Sequence, residues 1–214
     1  MFTSVTTVVK AEWIKDQQNK WVYYENDSSK LNYNMTENYI EPMKLPQYYQ
    51  ADDRWGAKRY GLSNMKLTGC VPTALAMAIS GLKEDVNPVQ VADFLYNMTM
   101  ELNTTFLGTS SLGVQEVVSQ WGLNYKVIDS KEELEETLKN GTLVYGAVGH
   151  GIFVNGYSTH AVLLTGYENG KTKAFDPDNM AKTNKWYNID DIWKERSLAP
   201  EDNMTGGAFI AIYK

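Results

Sequence analysis

An α+β fold is predicted for this 214-residue chain by the order in which its sequence patterns change. From Val71 to Leu138 apolar residues recur at helical spacing, and from Leu143 to Tyr213 they fall into short apolar runs separated by turns. Helices first and an antiparallel sheet afterwards is the α+β order. The hydrophobic fraction of 43% and six tryptophans can fill a substantial core, and the length suits one large domain or one domain with a small appendage.

Residues 1–44 differ in character and read as an N-terminal extension ahead of a domain at 45–214. Ala11 to Tyr24 predicts a short aromatic hairpin, two aromatic runs flanking a polar turn at Asp16 to Lys20. Asn26-Asp27-Ser28-Ser29 is a turn, and the segment through Glu41-Pro42 is polar and irregular. The first domain helix carries Val71, Leu75, Ala78, Ile79 and Leu82 on one face. Pro72 suits its first position, where a missing N–H is harmless. Gly69 lets the chain turn and keeps the space beside Cys70 clear.

Asn87-Pro88 is an N-cap followed by Pro, opening a helix with Val91, Ala92, Phe94 and Leu95 inward. A loop covers Asn103 to Ser111. Ser111 is the expected cap of a helix from Leu112 to Trp121, which Gly122 ends. Ser130 and Glu133 fit a capping box for a helix burying Leu134 and Leu138, stopped by Asn140-Gly141. Strands follow at Leu143 to Val148 and His160 to Tyr167. A turn at Glu168 to Lys171 leads to a third strand ending at Phe175-Asp176. Asn188 caps a short helix with Ile189, Ile192 and Trp193 inward, and Ala208 to Tyr213 closes the chain as a strand.

Composition removes several classes of function. A net charge of −6 and a pI near 5.0 argue against nucleic acid as a partner. No apolar run approaches the ~18 residues of a membrane span. Met1 to Lys10 lacks the basic region and apolar core of a signal peptide, so the chain reads as cytosolic or as a mature segment. There is no paired Cys, no His-x-x-x-His and no Gly-rich phosphate loop, so neither a metal nor a cofactor is expected.

What remains is one cysteine and two histidines, His150 and His160. Cys70 sits just ahead of or within the first helical turn, where unpaired N–H groups and the positive dipole end favour a thiolate. An inert buried cysteine is the alternative. A cysteine nucleophile needs a base, and the base needs an orienting partner. His160 opens an apolar strand and can project into a cleft. Asp176 ends the next strand, and the short hairpin between them returns it to about the level of His160. Asp176 can then accept from one imidazole nitrogen while the other faces Cys70. His150, in Gly149-His150-Gly151, has no acid placed after it and reads as a rim residue. For the developing oxyanion the Cys70 N–H is one donor and the Gln50 amide a second, with Asn64 its competitor.

Taken together, Gln47 to Trp55, Tyr60-Gly61, Gly69 to Ala74, His160 to Tyr167 and Phe175-Asp176-Pro177 resemble, in order and spacing, a papain-like cysteine peptidase. The branch is similar to the bacteriocin-processing (double-glycine leader) peptidases, in a stand-alone Gram-positive form, over about Leu45 to Lys214. The resemblance implies a papain-like fold, a helical half and a sheet half with the cleft between them. It makes Cys70 the nucleophile, His160 the base, Asp176 the orienting acid and Gln50 the oxyanion donor. Val71 stands where many relatives carry Gly. The hairpin resembles one copy of the aromatic repeats of choline-binding-like cell-wall modules, with Trp13, Trp21, Tyr23 and Tyr24 in the pattern.

The expectation is a monomeric thiol hydrolase acting on a peptide or isopeptide bond of a peptide or protein substrate, outside the cell or at its surface. The alternatives are a non-catalytic surface-binding protein using the hairpin, or an amidase or acyltransferase on the same scaffold.

Overall fold

The computed structural model describes residues 39–156 and 158–214 in full, and the backbone of 11–15 and 21–25. The chain divides into two compact units, residues 1–36 and 37–214. In the first, β1 (Ala11–Lys15) and β2 (Trp21–Glu25) pair antiparallel, with Trp13 opposite Tyr23. The turns at 16–20 and 26–29, and the side chains of Trp13, Trp21, Tyr23 and Tyr24, lie outside the described residues.

The second unit begins with a strand where irregular chain is expected. β3 (Tyr39–Ile40) pairs with the far end of β8 (His160–Glu168), Tyr39 opposite Glu168. β8 carries a register irregularity between Thr165 and Glu168, and within it Gly166 has φ +75°. A Cβ there would lie 2.7 Å from the ring of Pro42, so glycine answers both the backbone angle and the contact.

Next come the small hairpin β4 (Arg59–Tyr60) and β5 (Ser63–Asn64), then α1 (Met65–Thr68) and α2 (Cys70–Leu82). α2 is almost wholly buried, Ala74, Leu75, Ala78 and Ile79 included, and packs against α3 (Pro88–Phe94) and β8. Pro72 is the third residue of α2 rather than the first. The reasoning still holds there, because the first-turn N–H groups have no helical partner to lose. α3 has its full capping box: the Asn87 side chain accepts from Val89 and Gln90, and Gln90 reaches back to the Asn87 N–H.

The cap of α4 (Ser111–Gln120) is Ser110, not Ser111. Ser110 is extended and its hydroxyl accepts the Gly113 N–H, whereas Ser111 is already helical and accepts from Thr205 N–H. At α5 (Lys131–Lys139) Ser130 accepts from Glu133 N–H as expected. The Glu133 carboxylate, however, reaches one residue further, to Asp129 N–H, and pairs with Lys126. Asn188 occupies the cap position of α6 (Ile189–Lys194), but its amide turns to the Asp191 carboxylate.

The main sheet is antiparallel throughout. To β8 it adds β6 (Asn124–Ile128), β7 (Leu143–Val148), β9 (Lys171–Phe175), β10 (Lys185–Asn188) and β11 (Phe209–Tyr213), in the order β10-β9-β8-β7-β11-β6. β7 and β8 are buried almost from end to end, which places the core under the strand that begins with His160. Asn169 and Gly170, both at positive φ, make the tight β8–β9 hairpin that brings the chain straight back to Asp176. Among the described residues no helix is long and apolar enough to cross a membrane.

Candidate active site

Cys70 is the first residue of α2, and Gly69 both ends α1 and precedes α2. A Cβ on Gly69 would lie 2.3 Å from the Met65 carbonyl oxygen, so only glycine lets the two helices join this closely. No acidic residue stands in the first turn of α2 and no side chain caps it. Neither an acid nor a side-chain cap in that first turn therefore offsets the positive end of the helix.

His160 opens β8 opposite Val148 of β7. Its Nε2 lies 2.7 Å from Asp176 Oδ1, and Cys70 is near enough to the same ring to act on its pKa. With Nε2 committed to the carboxylate, the nitrogen left for the sulfur is Nδ1. Burial alone would favour the neutral ring. The interactions with Asp176 and Cys70 outweigh it and push the His160 pKa up to about 10.

Asp176 is held with little freedom, its side chain 1% exposed. Besides His160, its Oδ1 accepts the backbone N–H groups of Asp178 (2.8 Å) and Asn179 (3.1 Å). The Asp-Pro-Asp-Asn run from 176 folds around its own first carboxylate as an Asx turn. Oδ2 has no partner among the described residues. All the hydrogen bonding of this carboxylate passes through one oxygen.

Gln50 meets the same neighbourhood from the other side. Its N–H donates to the Pro177 carbonyl (2.8 Å) and its side-chain Nε2 donates to the Lys66 carbonyl (2.8 Å). The latter bond fixes which end of the amide is the donor, and Nε2 carries a second N–H. Gln50 is thus tied at once to the segment leading into Cys70 and to the residue after Asp176. The turn presenting it is braced by Asp52, which accepts from the Arg54 side chain and backbone, and whose carboxyl the bond to Arg54 holds at about 2. Arg54 in turn lies over the Trp55 ring.

The rivals are placed elsewhere. Asn64 is the N-cap of α1, its Oδ1 accepting from Leu67 N–H. His150 is exposed in the β7–β8 loop, where its Nδ1 accepts the Gly156 N–H. Sequence reasoning missed the Lys66 carbonyl and Thr183, whose hydroxyl bonds both backbone groups of Asp176. The Asx turn was open to it, since Asp-Pro-Asp-Asn is turn chemistry. Among the described residues no group of three or more His, Cys, Asp or Glu is placed to hold a metal ion.

These elements carry a cysteine at a helix start, a histidine bonded to a buried carboxylate, and a glutamine bonded to the segments beside both. Among solved structures, a C39-like peptidase from Bacillus anthracis aligns with a TM-score of 0.56 at 15% identity, covering 82% of this chain and 98% of that one. The peptidase domain of Streptococcus ComA, a bifunctional ABC transporter in a quorum-sensing pathway, aligns with a TM-score of 0.50 at 19% identity, covering 80% and 96%. A double glycine motif protease from an AMS/PCAT transporter, solved in complex with the leader peptide, gives 0.47 at 17% identity over 82% and 96%. No curated protein matches the chain. The Peptidase_C39-like family matches residues 42–204, a stretch that holds Gln50, Cys70, His160 and Asp176 and most of the sheet. On that match, and with the C39-like peptidase fold, the chain belongs to the Peptidase_C39-like family.

Proposed function

We propose that this chain is a thiol peptidase working through Cys70, His160, Asp176 and Gln50, by way of an acyl-enzyme. The observation that carries the reading is the His160 ring, held by Asp176 at 2.7 Å on one nitrogen, with Cys70 near enough to act on its pKa.

The Cys70 thiolate attacks the carbonyl carbon of the scissile amide, and the C=O π pair moves onto oxygen. The Cys70 N–H and the free N–H of Gln50 Nε2 stabilise that oxyanion. As the intermediate collapses, the C–N bond breaks and the His160 imidazolium gives its proton to the departing amine. The product is a thioester on Cys70. A water then attacks the thioester, losing its proton to the now neutral His160, and the sulfur leaves as thiolate. Asp176 keeps the ring oriented throughout.

The substrate class that fits is a peptide or protein. An extracellular or surface setting goes with the hairpin of β1 and β2, whose repeat-like aromatics would carry the enzyme to a cell-wall polymer. The test is incubation with a proteome-derived peptide library, followed by mass spectrometry of the new termini, with Cys70→Ala as control. New termini that need Cys70 are the expected result. Their absence, or their persistence in Cys70→Ala, contradicts the proposal. Acyl transfer to added amines in place of hydrolysis would assign the same site to an acyltransferase.

A further inference from the structure

The β9–β10 ladder pairs Ala174 with Lys185 and goes no further. Asn184, at φ +57°, turns the chain out of the sheet, and its N–H returns to the Ala174 carbonyl. The same register carried two residues on would set Asp176 opposite Thr183. A strand partner there would satisfy the Asp176 N–H and C=O with its own backbone. The Thr183 N–H goes instead to the Asn179 carbonyl, part of the turn that wraps the Asp176 carboxylate.

The side chain of Thr183 supplies what its backbone does not. Oγ1 accepts the Asp176 N–H at 2.9 Å and donates to the Asp176 carbonyl at 2.8 Å, and both bonds are buried. One atom is donor and acceptor to the same residue, which among neutral side chains is hydroxyl chemistry. Around it, the Tyr187 hydroxyl donates to the Lys182 carbonyl, and Lys182 Nζ donates to the Phe153 carbonyl in the loop that leads to His160.

We propose that Thr183 is a positioning residue of this site: its hydroxyl takes the place of a missing strand partner, fixing the peptide units on both sides of Asp176 so that the carboxylate meets His160 in one geometry. The proposal rests on the thiol-peptidase reading. It explains why the ladder stops where it does. The loop leaves the sheet so that its N–H groups can hold the carboxylate, and the hydroxyl closes the gap this leaves.

The test compares wild type, Thr183→Val and Thr183→Ser by the rate of Cys70 alkylation at pH 6 and pH 9.5, and by the proton NMR signal of the His160 Nε2–H. Val keeps the shape and removes the hydroxyl, while Ser keeps the hydroxyl. Thr183→Val is expected to react about tenfold or more slowly than wild type at pH 6 and to lose or shift the His160 signal. At pH 9.5, where a thiol ionises unaided, its rate should match wild type. Thr183→Ser should restore both readouts. If Thr183→Val does not fold, Thr183→Ala removes the hydroxyl without setting a methyl against two polar groups, and the same loss is expected. A valine or alanine variant that reacts as wild type at pH 6 with its His160 signal in place overturns the proposal. Wild type lacking any His160-dependent reactivity at pH 6 is a different failure. It removes the peptidase reading itself, and the clamp with it.

Discussion

Asp176→Asn and Asp176→Ala separate the geometry of the carboxylate from its charge. Three donors converge on Oδ1: the His160 ring at 2.7 Å and the N–H groups of Asp178 and Asn179. Alanine leaves all three without an acceptor. A buried donor left unsatisfied costs about 1–3 kcal/mol, and about 2 kcal/mol on the ring alone is roughly a 30-fold loss of the correctly held ring. Asparagine keeps an oxygen in the same place. It cannot flip freely, because flipping sets its NH2 against two backbone N–H groups, so the NH2 takes the buried place of Oδ2, which has no partner among the described residues. The unpaired NH2 lowers overall stability by about 1–3 kcal/mol, while the ring itself loses only charge assistance, about 1 kcal/mol or roughly fivefold. The assay is alkylation of Cys70 by iodoacetamide at pH 6, followed by intact mass. Asp176→Asn should react about fivefold more slowly than wild type and Asp176→Ala about 30-fold or more. If Asn is as impaired as Ala, charge rather than the single-oxygen geometry holds His160, and the reasoning fails.

Three further outcomes follow from the same site. Gln50→Ala should leave Cys70 alkylation within about twofold of wild type, since that reaction develops no oxyanion, while cleavage of a profiled peptide falls about 10²–10³-fold. Gly69→Ala forces a methyl against the Met65 carbonyl and should cost about 1–3 kcal/mol in urea unfolding, with Cys70 reactivity at pH 6 lowered as α2 shifts. The folded His160 pKa lies above its unfolded value, so the pairing stabilises fully below about pH 6.5 and is lost as pH rises through about 10. The urea midpoint of wild type should therefore fall between pH 6 and pH 10.5 by more than that of His160→Ala. An equal fall would mean that the ring gains no folded-state partner.

Much of the fold is legible in the sequence because its signals are local. Asn87-Pro88, Ser130 with Glu133, and Asn169-Gly170 each need only their neighbours to specify a helix start or a turn. Ser110 and Ser111 compete for one cap, and only the backbone angles, extended at Ser110 and helical at Ser111, decide between them. β6 and β10 escape because they are outer strands. Asn124-Tyr125-Lys126 is polar and exposed, and Lys185 to Asn188 is four residues with no inward run. Their pairing partners, β11 and β9, supply the order that their own residues lack. The site divides in the same way. Cys70, His160 and Asp176 stand out because their side chains are of the types that nucleophilic chemistry uses. The Lys66 carbonyl and the Thr183 hydroxyl meet Gln50 and Asp176 only through placement, which no local pattern reports.

The most direct measurement is the rate of Cys70 alkylation by iodoacetamide from pH 4 to 9, in wild type and in His160→Ala. One thiol in the chain makes intact mass an unambiguous readout. Wild type should react well below the ordinary thiol pKa of about 8.5, and His160→Ala should lose that low-pH limb. A thiol that is inert across the range, or that reacts identically without His160, would contradict a Cys70–His160 nucleophile.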